Sequence, residues 1–236
     1  MAYREEYREP LIPDWAPKAY LWVAILGGLV YLLLNQVSPG AGLLPLVKVT
    51  GILMLAFYAA FSRAPILTLA LLLSAGGDFA LEVSPPQLEW GIMLFGAAHL
   101  VYAAIFARFI LRDGLRRDGV ILAIALIAFG GAMAWWLAPA TGAITTPVMA
   151  YLAVIVLMAV SAAFVKGPRL ILAGALLFLI SDTILAARLF RELHVVAGLD
   201  WGAFAIWTTY FAAQLCLAMG IVRNSKKIEP LPEELA

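Results

Sequence analysis

Eight stretches of this chain, at about 19–35, 41–61, 64–82, 90–111, 119–138, 146–165, 169–190 and 201–222, are apolar for the length of a membrane span. A helical residue rises roughly 1.5 Å and the hydrocarbon core is roughly 30 Å thick, so about 20 such residues cross it. Short separators carrying turn or charge signals divide the stretches, among them Ser38-Pro39-Gly40, Ser84-Pro85-Pro86 and Lys166-Gly167-Pro168-Arg169. At Ser62-Arg63 two stretches nearly run together. Gaps this short leave no room for a soluble domain. Only 13% of the residues are charged against 64% hydrophobic, and the mean hydropathy is +0.96. A soluble domain carries about a quarter charged residues. The surplus apolar surface therefore faces lipid, and the expected fold is an all-α bundle of eight transmembrane helices.

The basic residues orient this bundle. Arg4, Arg8, Lys18, Arg63, Arg108, Arg112, Arg116, Arg117, Lys166, Arg169, Arg223, Lys226 and Lys227 fall on one side, while only Arg188 and Arg191 fall on the other and Lys48 lies within a helix. By the positive-inside rule both termini are expected in the cytoplasm, with Trp90, Trp135, Trp136 and Trp201 at the outer interface. The chain divides into a cytoplasmic tail over 1–18, a transmembrane domain over 19–222 and a second cytoplasmic tail over 223–236. Met1 to Pro17 mixes acids, arginines and prolines, which suits a surface tail and not a signal peptide. The net charge of +1 argues against nucleic acid as a partner. A single cysteine, Cys216, excludes an intrachain disulfide and offers no metal-ligand spacing. A short similarity between the segments around Asp78 and Asp182, four helices apart, is compatible with a parallel 4+4 repeat.

An ionisable side chain at the bilayer centre costs at least about 2.5–3.5 kcal/mol on insertion scales, so each one needs a reason. Lys48, Asp78, His99 and Asp182 lie well inside the spans, with polar tips from Tyr151, Tyr210 and Gln214. With the topology above, Lys48, Asp78, His99, Tyr151, Asp182 and Tyr210 fall roughly 6–14 Å below the outer surface. Six helices placing polar groups in one layer predict a pocket. Ser74, Asp78 and Glu82 share a stripe of the third helix, His99 and Tyr102 a face of the fourth, and Tyr210 and Gln214 a face of the eighth. Plainer roles compete: Lys48 as a snorkelling side chain or counter-ion, His99 as an interhelical donor, and the tyrosines and Gln214 as helix-helix partners. Gly76-Gly77 and Gly130-Gly131 suit close helix packing. Two carboxylates in unlike surroundings divide into an acid and a base, as in cleavage of a carbon–oxygen bond through an oxocarbenium-like state. A metal held by Asp78, His99 and Asp182 is a minority reading, because a lone His without Cys is a poor ligand set.

Four segments in order carry a resemblance: Ser74-Ala75-Gly76-Gly77-Asp78-Phe79-Ala80-Leu81, Phe95-Gly96-Ala97-Ala98-His99-Leu100-Val101-Tyr102, Gly174-Ala175-Leu176-Leu177-Phe178-Leu179-Ile180-Ser181-Asp182 and Tyr210-Phe211-Ala212-Ala213-Gln214. Together they resemble the YhhN-like lysoplasmalogenases, from about Lys48 to Gln214. Val49 stands where the family pattern leads us to expect a proline. The resemblance implies hydrolysis of the vinyl ether of a lysoplasmalogen, a lysophospholipid drawn from the bilayer, to a fatty aldehyde and a glycerophospho-headgroup. It implies Asp78, Asp182 and His99 as catalytic residues, with Lys48, Ser74, Tyr102, Tyr151, Ser181, Tyr210 and Gln214 lining the pocket, and no cofactor or metal. An ion-coupled transporter using the same aspartates, or a silent lipid-binding protein, remains open. The compact, Ala-rich chain suits a bacterial inner membrane.

Overall fold

A computed structural model describes residues 13, 15–37, 42–193 and 201–226. Among these, eight helices are long and apolar enough to cross a membrane. They are α1 (Trp15–Val37), α2 (Leu44–Phe61), α3 (Pro65–Glu82), α4 (Leu88–Asp113), α5 (Val120–Leu137), α6 (Thr145–Ala163), α7 (Arg169–Arg191) and α8 (Trp201–Ser225). The described residues contain no strand, only one bridge between Leu115 and Val165 that ties two loops together.

The helix ends follow local chemistry. Pro45 and Pro65 sit in the first turns of α2 and α3, where a missing N–H costs nothing. The join at Ser62-Arg63 is a tight turn in which Arg63 takes φ 58. Gly114, at φ 79, closes α4 by donating its N–H to the Ile110 carbonyl at 2.9 Å. Helix α1 begins at Trp15 and α8 runs to Ser225, so Trp15–Lys18 and Arg223–Ser225 are helical. The side chain of Trp201 and the rest of both expected tails, residues 1–12, 14 and 227–236, lie outside the described residues.

Sequential neighbours α1–α2, α2–α3, α3–α4 and α7–α8 make the most extensive contacts. Small residues set the approach. A Cβ on Gly77 would stand 2.6 Å from the Phe95 ring, and one on Gly174 would stand 2.7 Å from Leu217 Cγ. These two glycines let α3 meet α4 and α7 meet α8 backbone to side chain, the packing that works where lipid supplies no hydrophobic drive between helices. Many large apolar side chains also point outward, with Leu111 85% and Ile121 82% exposed. Such a surface has acyl chains as its solvent.

Candidate active site

Alternating helix direction brings the C-terminal halves of α1, α3 and α7 to one end of the bundle, with the N-terminal halves of α2, α4, α6 and α8. A cavity of about 510 Å³ opens there. Lys48, Asp78, Tyr151, Ser181, Asp182 and Tyr210 all line it.

Three carboxylates, Asp78, Glu82 and Asp182, face this space with different partners. Lys48 Nζ lies 2.9 Å from Glu82 Oε2 and 3.7 Å from Asp78 Oδ1. Tyr31 donates its hydroxyl to the same Glu82 oxygen at 3.1 Å. The ammonium also sits 5.7 Å from the Tyr31 ring and 5.9 Å from the Trp207 ring, within cation–π range. Asp78 is only 2% exposed, and the Tyr210 hydroxyl reaches its Oδ2 at 2.5 Å. Behind Tyr210 the polarity is fixed by a chain of donors. Tyr102 donates to Gln214 Oε1 at 2.6 Å, and Gln214 Nε2 donates to the Tyr210 oxygen at 3.3 Å. That oxygen accepts from Gln214, so its own proton points at Asp78. A carboxylate with a phenol on one oxygen and an ammonium beside the other is set up as an acceptor.

Asp182 stands apart from that cluster. Its Oδ2 is hydrogen-bonded to the Tyr151 hydroxyl, and its side chain is partly open to the cavity. Among the described residues no cationic group forms an ion pair with it. Ser181 donates its hydroxyl to the Ile206 carbonyl at 3.0 Å, joining α7 to α8.

Four expected site residues do not line the cavity. His99 is fully buried; its Nδ1 lies 2.5 Å from the Phe95 carbonyl of its own helix, and its ring stands edge-on to Phe178 and Tyr151. Its Nε2 has no hydrogen-bond partner among the described residues. Ser74 satisfies its hydroxyl on the Ala70 carbonyl at 3.0 Å, one turn back in α3. Tyr102 and Gln214 sit in the layer behind Tyr210. No three His, Cys, Asp or Glu side chains gather as metal ligands among the described residues, so the Asp78–His99–Asp182 set does not assemble. Glu82, Tyr31, Asn35, Arg188 and Trp207 line the cavity without having been singled out as site residues. Only Glu82 left a usable signal, one turn beyond Asp78 on the same stripe.

The sequence profile of the YhhN family matches residues 43–221, a span that holds the whole cavity except its α1 wall. The chain belongs to the YhhN family. Among curated proteins, this YhhN chain is similar to Lysoplasmalogenase TMEM86B of Sus scrofa, at 32% identity over 161 residues. That match covers 68% of this chain and 65% of the relative's length. Lysoplasmalogenase TMEM86A of Bos taurus is 28% identical over 74% of this chain and 72% of its own. Lysoplasmalogenase TMEM86B of Mus musculus is 29% identical over 92% and 93%. No solved structure gives a significant match.

Proposed function

We propose that this YhhN protein is a lysoplasmalogenase that hydrolyses the vinyl ether of a single-chain glycerophospholipid, with Asp182 as general acid and Asp78 as general base. The observation that carries the reading is the pair of unlike carboxylates, one held by donors and one partly open, on a single cavity of a membrane bundle. The names of its curated relatives supply the substrate class. Asp182 delivers a proton to the alkene carbon distal to the ether oxygen, which turns the ether into an oxocarbenium ion. Asp78 takes a proton from water as that water bonds to the cationic carbon, giving a hemiacetal. The hemiacetal collapses as Asp78 returns its proton to the departing glycerol oxygen and the Asp182 carboxylate takes the hemiacetal hydroxyl proton. Aldehyde and alcohol leave, and both side chains are reset. Lys48, held between Asp78 and Glu82, keeps the anionic side of the cavity in register. His99 supports the site from behind, as an edge-on wall for Tyr151.

The lipid enters sideways with its headgroup at the outer interface, both termini are cytoplasmic, and the host membrane is a bacterial inner membrane. Transport fits less well. Tyr102, Phe106 and Phe178, all fully buried, fill the bundle interior beyond the cavity. Detergent-purified protein given a lysoplasmalogen should release fatty aldehyde, with and without a chelator. Removing a positioned acid or base should lower kcat by about 10²–10⁴-fold in Asp182→Asn and Asp78→Asn. Full aldehyde release by a folded Asp182→Asn protein would sink the mechanism, and none by the wild type would sink the activity.

A further inference from the structure

At the opposite end of α3, α4 and α8 lies a second cleft of about 450 Å³. Along α3 it is separated from the first by the fifteen or so residues between Arg63 and Asp78, roughly 20 Å of helix. Its floor and walls are apolar, including Ile66, Ile105, Phe109 and Ile221, and its rim carries Arg63, Arg108 and Arg112. The last two are one turn apart on α4 and so share a face. Arg112 is already engaged, with both carboxylate oxygens of Asp113 at 2.6 Å, the Asn224 carbonyl at 3.2 Å and the Phe109 ring beneath it. Arg63 and Arg108 are exposed, and among the described residues no acidic side chain pairs with either.

Two guanidinium groups above an apolar trough, at the level where membrane helices end and without an acidic partner among the described residues, have a specific complement. Guanidinium forks match phosphate oxygens in pairs, and the trough takes the first methylenes of a chain. A soluble phosphate would satisfy the rim and leave the trough wet. We propose that this cleft holds the headgroup of an anionic phospholipid from the leaflet that this end of the bundle faces, as a binding site separate from the aspartate cavity. Since the occupant bridges α3, α4 and α8, it stabilises the helices that carry Asp78 and Tyr210 at their far ends. The site does not depend on the hydrolase reading.

The test is thermal unfolding of the full chain in neutral detergent with added short-chain lipid. A short-chain phosphatidylglycerol at a hundredfold excess over its Kd should raise Tm by roughly 5 °C. Phosphatidylcholine of the same chain length and glycerol 3-phosphate should not. Each arginine lost should weaken the phosphatidylglycerol effect roughly fivefold in apparent Kd, from about 1 kcal/mol per basic residue at an anionic surface. At the same lipid concentration the Arg63→Gln/Arg108→Gln protein should therefore keep only about a third of the shift, while Arg117→Gln, which loses a charge outside the cleft, should keep it in full. Equal shifts from both lipids, a shift from glycerol 3-phosphate alone, or an undiminished shift in the double variant would each overturn the proposal. If the double variant does not yield folded protein, Arg108→Gln and the wild-type lipid comparison decide the question by the same criteria.

Discussion

Tyr210 shows how much of this site is a matter of single protons. Its hydroxyl accepts from Gln214 and donates to Asp78, so Tyr210→Phe leaves Asp78 with Lys48 as its remaining neighbour of opposite polarity. A hydrogen bond to a charged group contributes about 1.5–3 kcal/mol. On the proposed mechanism the variant should lose about tenfold to a hundredfold in kcat and several degrees in Tm, measured as aldehyde release and thermal unfolding on one preparation. Lys48 carries a different weight, because it separates two carboxylates. Lys48→Met leaves them facing each other without a cation, and breaking a buried pair costs about 3–5 kcal/mol. Its Tm should fall sharply, and Glu82→Gln added to it should recover part of the loss; additive losses would show that the two residues act independently. The sequence made these residues visible by depth alone. Ionisable groups within apolar spans stand out, which singles out Lys48, Asp78 and Asp182. Depth says nothing of rotation about the helix axis. Ser74 spends its hydroxyl and His99 its Nδ1 on carbonyls of their own helices, whereas Tyr31 and Trp207 reached the cavity with no outward sign.

At the level of helices, contact is set by where side chains are missing. Gly77 lies under Phe95, a cavity-lining ring, with 2.6 Å left for any Cβ. Gly77→Val should push that ring into the cavity, lower stability by about 1–3 kcal/mol through overpacking, and raise KM for lipid. Gly131 has nothing within 4 Å of its would-be Cβ. Gly131→Ala should be neutral or stabilise by up to about 1 kcal/mol, since alanine favours a helix interior. Thermal unfolding in detergent separates the two, and similar effects from both would contradict this packing. The pair Gly76-Gly77 and the pair Gly130-Gly131 read alike in sequence. The lengths of the apolar runs located the spans to within a few residues because hydrocarbon thickness fixes their length. Which glycine meets a neighbour is decided by tertiary contacts that a single helix does not encode.

For the molecule as a whole, charge distribution and cavity position make one joint statement. The basic cleft and the aspartate cavity lie at opposite ends of the same helices. If both termini are cytoplasmic, as proposed, the cavity faces outward. In a Cys216→Ala background, Glu89→Cys should react with an impermeant maleimide from outside sealed cells, and Asp118→Cys only after lysis. The reverse pattern would invert the topology and move the substrate to the inner leaflet.

Glu82 and Asp78 find their lysine on α2, the helix immediately before them, and Asp182 finds its phenol on α6, immediately before α7. In each case the partner has been synthesised before the acid emerges from the ribosome. A buried carboxylate is most exposed to hydrocarbon while its segment is being integrated, when a lone charge costs at least about 2.5–3.5 kcal/mol. Two consecutive spans entering as a hairpin bring that partner with them, so the acids need not wait for distant helices. Of the hydrogen bonds to these acids among the described residues, only that of Tyr210 from α8 is left for the end of translation, which makes the last helix the one that converts a safely inserted bundle into a finished site.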